Sequence, residues 1–408
     1  MRLTHWVAVV VAVIIVPVPA HARRRAVGHP AAAIPVYETA LTRWSAATGG
    51  FASWELAGTK VNAAGELELD VTRAVSGTDP YGAGGFHGGN FYNGASFMMG
   101  EATSPIVDSR FGIAGAFPSW NAATPPGTWV ETLASRRING VWTQWYSWGV
   151  WDDDNSTVSR HSWSNPTQGT ASDSPAAQAA AADAIRVRIR LFSETGTRVP
   201  TVRNASIHTA ATPIVPPVLL PGDPSKWDRL LDVPRCSQMV YPDGGKVWCS
   251  PTSTSMVLAY LRNDTGDCEP RVRAATVGTY DWILPGYGNW LFNAAYAGTF
   301  GFNAYATRFT SMREVETWVS LGIPVVFNFA WSAGQLTGAA IPSSSGHLAV
   351  FVGFDAEGNP IVNDPAAPSN ATVRRTYLRS ELERVWLTSS GGAVYLIYPY
   401  GFQPPPGY

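Results

Sequence analysis

Hydrophobic and polar positions alternate with period two in Ile185–Leu191, where Ile, Val, Ile and Leu interleave with Arg186, Arg188 and Arg190. A strand reads this way when one face is buried and the other is wet. Short apolar, β-prone runs separated by Gly, Asn, Asp and Pro recur at Thr128–Leu133, Gly140–Val150, Ala184–Phe192 and Val202–Ile207. Several such runs at short spacing predict an all-β sandwich over residues 37–208. Residues 209–224 then carry five prolines and almost no charge, the composition of a stiff linker between two separable units. Beyond it the pattern changes. Pro251–Leu261 has a helical apolar stripe at Met256, Val257, Tyr260 and Leu261, with Ser250 as its cap. Ser311–Leu321 predicts a second helix with a Ser311/Glu314 capping box. Strands are expected at Pro324–Phe329, His347–Phe354, Pro360–Asn363 and Ala393–Tyr398, with a short helix at Arg379–Val385. Residues 225–402 therefore read as an α+β unit, and the 408-residue chain as multidomain.

The first residues add a compartment. Arg2, the apolar stretch Trp6–Val18 and Ala20-His21-Ala22 have the form of a secretory signal peptide over residues 1–22, cut after Ala22. The run is shorter than the ~20 residues that span a bilayer, and Pro17 and Pro19 close it. The expectation is a secreted or cell-surface protein with no membrane span in its mature form. A net charge of −1, from 29 basic and 30 acidic residues, supplies no field for nucleic acid, and none is expected as a partner. Aromatics make up 12%, with 17 Trp. Trp120, Trp129, Trp142, Trp145, Trp148 and Trp151 cluster in the β half, as core residues or as a sugar-stacking face. The run Gly82–Gly94 lacks the strand–helix context of a phosphate loop and reads as a mobile loop.

Candidate chemistry is confined to the second half. Cys249 stands at the start of the first helix, where unpaired N–H groups and the helix dipole favour a thiolate. His347, the one histidine after the linker, opens a strand behind Ser343-Ser344-Ser345-Gly346. Asp364 ends the next strand, seventeen residues on, and a hairpin turn at Asp355–Asn359 brings the two level if the register allows. Nucleophile, base and orienting acid are the set that acyl transfer through a thioester needs. Each residue also has an ordinary structural reading: a small buried thiol, a satisfied histidine, an Asp-Pro turn. One Cys and one His do not make a closed zinc site, no G-x-S-x-G elbow occurs, and no cofactor is expected.

These residues carry a resemblance. LDVPRCSQ (Leu231–Gln238), WCSPTSTSMVLAYL around Cys249, SSSGHLAVFVGF around His347 and GNPIVNDPA around Asp364 resemble the C39-like peptidase family over about residues 231–399. That family comprises papain-fold cysteine peptidases related to the double-glycine leader peptidases. The resemblance implies a papain-like fold, Cys249 as nucleophile, His347 as base, Asp364 as its orienter and Gln238 as oxyanion donor. Two positions depart from the family pattern: Ser250 replaces the usual Gly, and Gln238 lies eleven residues before Cys249. The resemblance implies the chemistry and not the leader-peptide substrate.

The expected activity is an exported cysteine peptidase, or a related amide-bond acyl transferase, acting on peptide or protein, with cell-wall material an open option. The alternative is a non-enzymatic cell-surface or carbohydrate-binding protein with an inactive papain-like domain. If Cys249 is the nucleophile it stays free, which leaves Cys236 and Cys268 either bridged or as two separate thiols.

Overall fold

Alternation in Ala182–Ser193 is realised as a strand with Ile185, Val187, Ile189 and Leu191 buried. The arginines on its other face are not bare: Arg186 lies 4.3 Å from the Trp142 ring centre and 4.7 Å from that of Trp145, and Arg188 lies 4.2 Å from Trp145. Stacking of this kind shields guanidinium and indole together. The strand sits between Ser96–Thr103 and Thr128–Ile138 in an eight-stranded sheet. A five-stranded sheet is built around Thr201–Ala210, which pairs with Thr39–Ser45 and Gly115–Ala123. The computed structural model describes residues 38–162, 164–165, 169–170, 181–211 and 220–408. The signal-peptide reading and residues 212–219 of the linker lie outside the described residues.

The described chain is mostly β-strand with few helices, and its five α-helices all follow residue 220. They are α1 (Cys249–Leu261), α2 (Cys268–Thr279), α3 (Trp290–Thr299), α4 (Met312–Ser320) and α5 (Arg379–Ser390). They accompany a seven-stranded sheet with the order Asn303–Arg308, Ala393–Tyr398, Val325–Trp331, Ser344–Phe354, Pro360–Asn363 and Arg374–Thr376; Arg229–Leu230 pairs with Ser344–Phe354. Two helices and three strands of this half escape the sequence pattern, Arg229–Leu230 and Arg374–Thr376 being only two and three residues long. α3 is buried nearly all round, so it has no polar face to set off a stripe. α2 exposes most of its first turns and has a weak stripe, and Asn303–Arg308 is covered on both faces.

Two local readings are corrected. The first helix begins at Cys249, with Trp248 as its cap residue, so Ser250 is inside the first turn and its hydroxyl meets the Tyr395 hydroxyl at 3.1 Å. Cys268 opens α2. The Gly-rich run is also less free than its composition suggests, because Phe86, Phe91 and Tyr92 are buried and the Asp79 carboxylate accepts the N–H groups of Tyr81, Tyr92 and Gly94.

The described residues form one compact unit, and one large hydrophobic cluster draws on both halves. Trp120 and Trp151 pack their rings 6.2 and 5.5 Å from Phe292 of α3. Asn121 copies a backbone pairing: its Nδ2 donates to the Ala304 carbonyl at 2.9 Å and its Oδ1 accepts the Ala304 N–H at 3.0 Å. The Ser119 hydroxyl accepts the Ala306 N–H at 3.1 Å. These side chains occupy the open edge of the seven-stranded sheet, which would otherwise offer unpaired groups to a foreign strand.

Candidate active site

Cys249 gains its place from the helix it opens. Trp248 contributes no side-chain cap, so the first turn of α1 keeps free N–H groups at its start. Farther along α1, the Ser253 hydroxyl donates to the Leu348 carbonyl at 3.2 Å. That bond fixes the helix to the residue after His347, and the half-buried Cys249 thiol and the His347 ring act on each other electrostatically.

His347 lies in the strand Ser344–Phe354, level with Phe329 of the neighbouring strand. On the other side Val350 pairs with Asn363, so the register continues to Ala349 opposite Asp364. His347 is two residues along on the same face, the diagonal position that side chains span across a strand pair. Its Nε2 stands 2.7 Å from Asp364 Oδ1. Phe329 and Trp331 flank the ring at 5.4 and 5.7 Å between centres.

Asp364 is fully buried and fully engaged. Oδ1 also accepts the Ala366 N–H at 2.9 Å, and Oδ2 accepts the Tyr377 hydroxyl at 2.7 Å. Tyr377, itself buried, was not a sequence candidate; its one signal is its place directly after the strand that pairs with Pro360–Asn363.

Electrostatics follow from these contacts. Burial drives the Asp364 carboxyl up, and the charge and hydrogen bond of His347 with the Tyr377 hydroxyl more than reverse it, so it stays below its ordinary value. Burial alone would lower His347; Asp364 first and Cys249 second push it up to about 10. Burial likewise raises the Cys249 thiol, but His347 and the N–H groups of Leu348 and Ser250 bring it below its ordinary value. These contacts favour the thiolate at Cys249 and the imidazolium at His347.

Gln238 is buried in a turn, Gln238–Val240, capped by the Ser237 hydroxyl at 3.1 Å from the Met239 N–H. Its own N–H donates to the Pro365 carbonyl at 2.8 Å, beside Asp364. The eleven-residue excursion to Cys249 folds back on it: at Gly245 a Cβ would stand 1.9 Å from the Gln238 carbonyl oxygen, so only glycine fits. Gln238 is thereby seated between the Asp364 turn and the approach to Cys249. Its Oε1 is buried without a protein partner. Cys236 is bridged to Cys268 with their Cα atoms 5.6 Å apart, which ties the Gln238 segment to the start of α2 and leaves Cys249 the free thiol.

A thiol at a helix start, an imidazole and a buried carboxylate on adjoining elements are the makings of a thiol-dependent acyl-transfer centre. The family comparisons agree with that class. Residues 230–394 match the Peptidase_C39 like family and residues 40–210 match the Peptidase C39 N-terminal domain, so the chain belongs with the C39-like peptidases and is peptidase-type at the family level. Among solved structures, a chain from Bacillus anthracis assigned as a C39-like peptidase is 18% identical, with 41% of this chain and 98% of that chain covered and a TM-score of 0.29. A family two carbohydrate esterase from Cellvibrio japonicus is 12% identical over 54% of this chain and 50% of that chain, with a TM-score of 0.19. No curated protein matches the chain.

Proposed function

We propose that the protein is an exported cysteine peptidase, or an amide-bond acyl transferase of the same chemistry, with a papain-like α+β domain over residues 225–402 behind a β-sandwich domain over residues 37–208. The carrying observation is His347, whose Nε2 is 2.7 Å from the buried Asp364 and which is coupled electrostatically to the Cys249 thiol at the start of α1. The Cys249 thiolate attacks the carbonyl carbon of a peptide bond, and the charge that develops on oxygen is met by the Gln238 amide and the Cys249 N–H. The imidazolium of His347 gives its proton to the departing amine, so the C–N bond breaks and a thioester remains. Neutral His347 then takes a proton from water, or from an acceptor amine, as that nucleophile attacks the thioester. Thiolate leaves, product carries the acyl group, and His347 is again protonated. Asp364 holds the ring and its charge throughout.

The substrate class this reading names is peptide or protein, cell-wall peptides included. Export rests on the sequence of residues 1–22 and is supported by the Cys236–Cys268 bridge, since disulfides persist in oxidising compartments. No helix of the described residues is long and apolar enough to cross a membrane. The non-enzymatic alternative loses its main support, because Trp120, Trp129 and Trp151 are buried and Trp142 and Trp145 stack on arginines. A peptidyl acyloxymethyl ketone should label wild type and leave Cys249→Ala unmarked; equal labelling of the two would end the reading.

A further inference from the structure

Peptidase chemistry leaves the N-terminal half without a task and the Gly-rich run without a reason. Both touch one loop of the C-terminal half, Tyr280–Asn289, between α2 and α3. Asp281 knots it. This buried carboxylate accepts the N–H groups of Ile283 and Leu284 at 3.1 Å each and the Asn289 Nδ2 at 2.9 Å. From the N-terminal half it accepts the Ser162 N–H at 3.2 Å and the Ser162 hydroxyl. Asn289 in turn caps α3 through the N–H groups of Leu291 and Phe292.

The grip extends on both sides of that knot. The Trp282 N–H donates to the Arg160 carbonyl at 2.9 Å, and Arg160 Nη1 donates to the Val277 carbonyl at 3.2 Å. Gly89 of the Gly-rich run lies against the Trp282 indole; a Cβ there would stand 2.2 Å from Ser159 Oγ and 3.0 Å from Trp282 Cε2, which explains a glycine at this position. Ile283 packs on the aromatic cluster that contains Phe86, Phe91 and Tyr92.

The loop also reaches toward the nucleophile. Tyr287 meets Trp248, the residue before Cys249, edge-on with ring centres 6.1 Å apart, and Tyr280 backs Tyr287 at 5.3 Å. Apolar side chains stay open along this stretch: Val247 is 62% exposed and Leu284 is 56% exposed. Arg273, which lies over Trp248, is paired with Asp243 at 2.6 Å and Glu269 at 2.7 Å.

We propose that the Tyr280–Asn289 loop is the specificity wall of the Cys249 site, held in place by the N-terminal half, and that it takes a bulky apolar side chain of a peptide substrate. This rests on the peptidase reading above. The occupant follows from continuity with the residues leading into Cys249, from the exposed apolar surface and from the paired charge beside it. A wall fixed from outside its own domain keeps its shape before substrate arrives, so little binding energy is lost to ordering a ten-residue loop.

The test uses full-length protein and two peptidyl acyloxymethyl ketones, one with Phe and one with Asp at the two positions nearest the reactive carbonyl. Labelling rates of Cys249 are compared with its rate toward iodoacetamide, which needs no wall. Wild type should favour the Phe probe by roughly tenfold or more, the discrimination an apolar site gives. Leu284→Ser, an exposed change that spares the fold, and Ser162→Ala, which removes the hydroxyl bond from the N-terminal half to Asp281, should each reduce that preference to about threefold or less, with iodoacetamide rates held within about twofold. No Phe preference in wild type, or a preference unchanged in both variants, would overturn the wall. So would a Ser162→Ala protein that loses iodoacetamide reactivity in step with the probes, since that marks a folding role. Iodoacetamide labelling with no reaction of wild type toward either peptidyl probe would instead sink the peptidase reading itself.

Discussion

Replacing Asp364 by Asn removes one charge and keeps the size and an acceptor oxygen, so it isolates what that charge does. The rise of His347 from 6.5 to about 10 occurs against the opposing effect of burial. At ~1.36 kcal/mol per pH unit this corresponds to about 5 kcal/mol. A separate figure comes from Coulomb's law: unit charges about 4 Å apart attract by about 4 kcal/mol at an effective dielectric of about 20. The first is net of burial and shared with Cys249, so the two match in order of magnitude. Losing about 4 kcal/mol shifts the balance between thiolate–imidazolium and thiol–imidazole by nearly a thousandfold. In wild type His347 near 10 stands above Cys249, which lies below 9.0, so the charged pair leads by about tenfold or more. In Asp364→Asn the neutral pair should lead by on the order of a hundredfold. Iodoacetamide alkylation of native protein, followed by mass from pH 4 to 10, reads this directly because only thiolate reacts. Wild type should hold its rate as pH falls, until Cys249 itself takes a proton. The variant should be roughly a hundredfold slower at neutral pH and climb only through the ordinary thiol range. Turnover in wild type should fail at high pH, as His347 loses its proton near 10 and with it the general acid. Superimposable alkylation profiles for the two proteins would refute the argument.

Gln238→Ala should lower kcat by on the order of a hundredfold, since one oxyanion donor is lost, while iodoacetamide alkylation of Cys249 stays at the wild-type rate; a parallel fall in alkylation would show a different role. Tyr377→Phe leaves Asp364 Oδ2 buried without its donor and should cost about 1–3 kcal/mol in urea unfolding; a fall in kcat at unchanged KM would mark positioning, and unchanged stability would contradict the assigned contact. Thiol counting on denatured, unreduced protein should find one thiol, and reduction should lower stability by roughly 3–4 kcal/mol in the chain-entropy account of a bridge spanning 32 residues. Three thiols before reduction would remove that bridge and its hold on Gln238.

Elements with a polar side, or with turns at both ends, were legible in the sequence; α3, buried nearly all round, was not. The period-two run in Ala182–Ser193 and the stripe of α4 each set a wet face against a dry one, and both elements stand within a few residues of the pattern. Pro360–Asn363 and Ala393–Tyr398 match their expected bounds because turns delimit them on both sides. α3 shows the opposite case. Its faces are taken by Trp120, Trp151 and the C-terminal sheet, so burial all round erases periodicity. The start of α1 was misread by two residues because Ser250 and Pro251 fit a cap and a first-turn position equally well when one residue earlier is also permitted.

At the site, position in the chain identified the groups but not their support. Cys249 opens a helix and Asp364 directly follows a strand, whereas His347 lies three residues inside its strand, and a hairpin between the last two limits how far apart they can be. Tyr377 has no such mark: a tyrosine after a short strand is ordinary, and only the fold turns its hydroxyl onto a carboxylate that would otherwise lack a donor. The same holds on a larger scale for the N-terminal half. Its Gly-rich run looked like slack chain because composition records the absence of side chains and not what lies against the backbone. Gly89 is bare because Ser159 and Trp282 occupy the space a Cβ would need, and Asn121 looks like a polar loop residue until its amide is seen closing the edge of the other half's sheet. Contacts between residues more than a hundred positions apart leave no local pattern, so what joins the two halves became legible only in three dimensions.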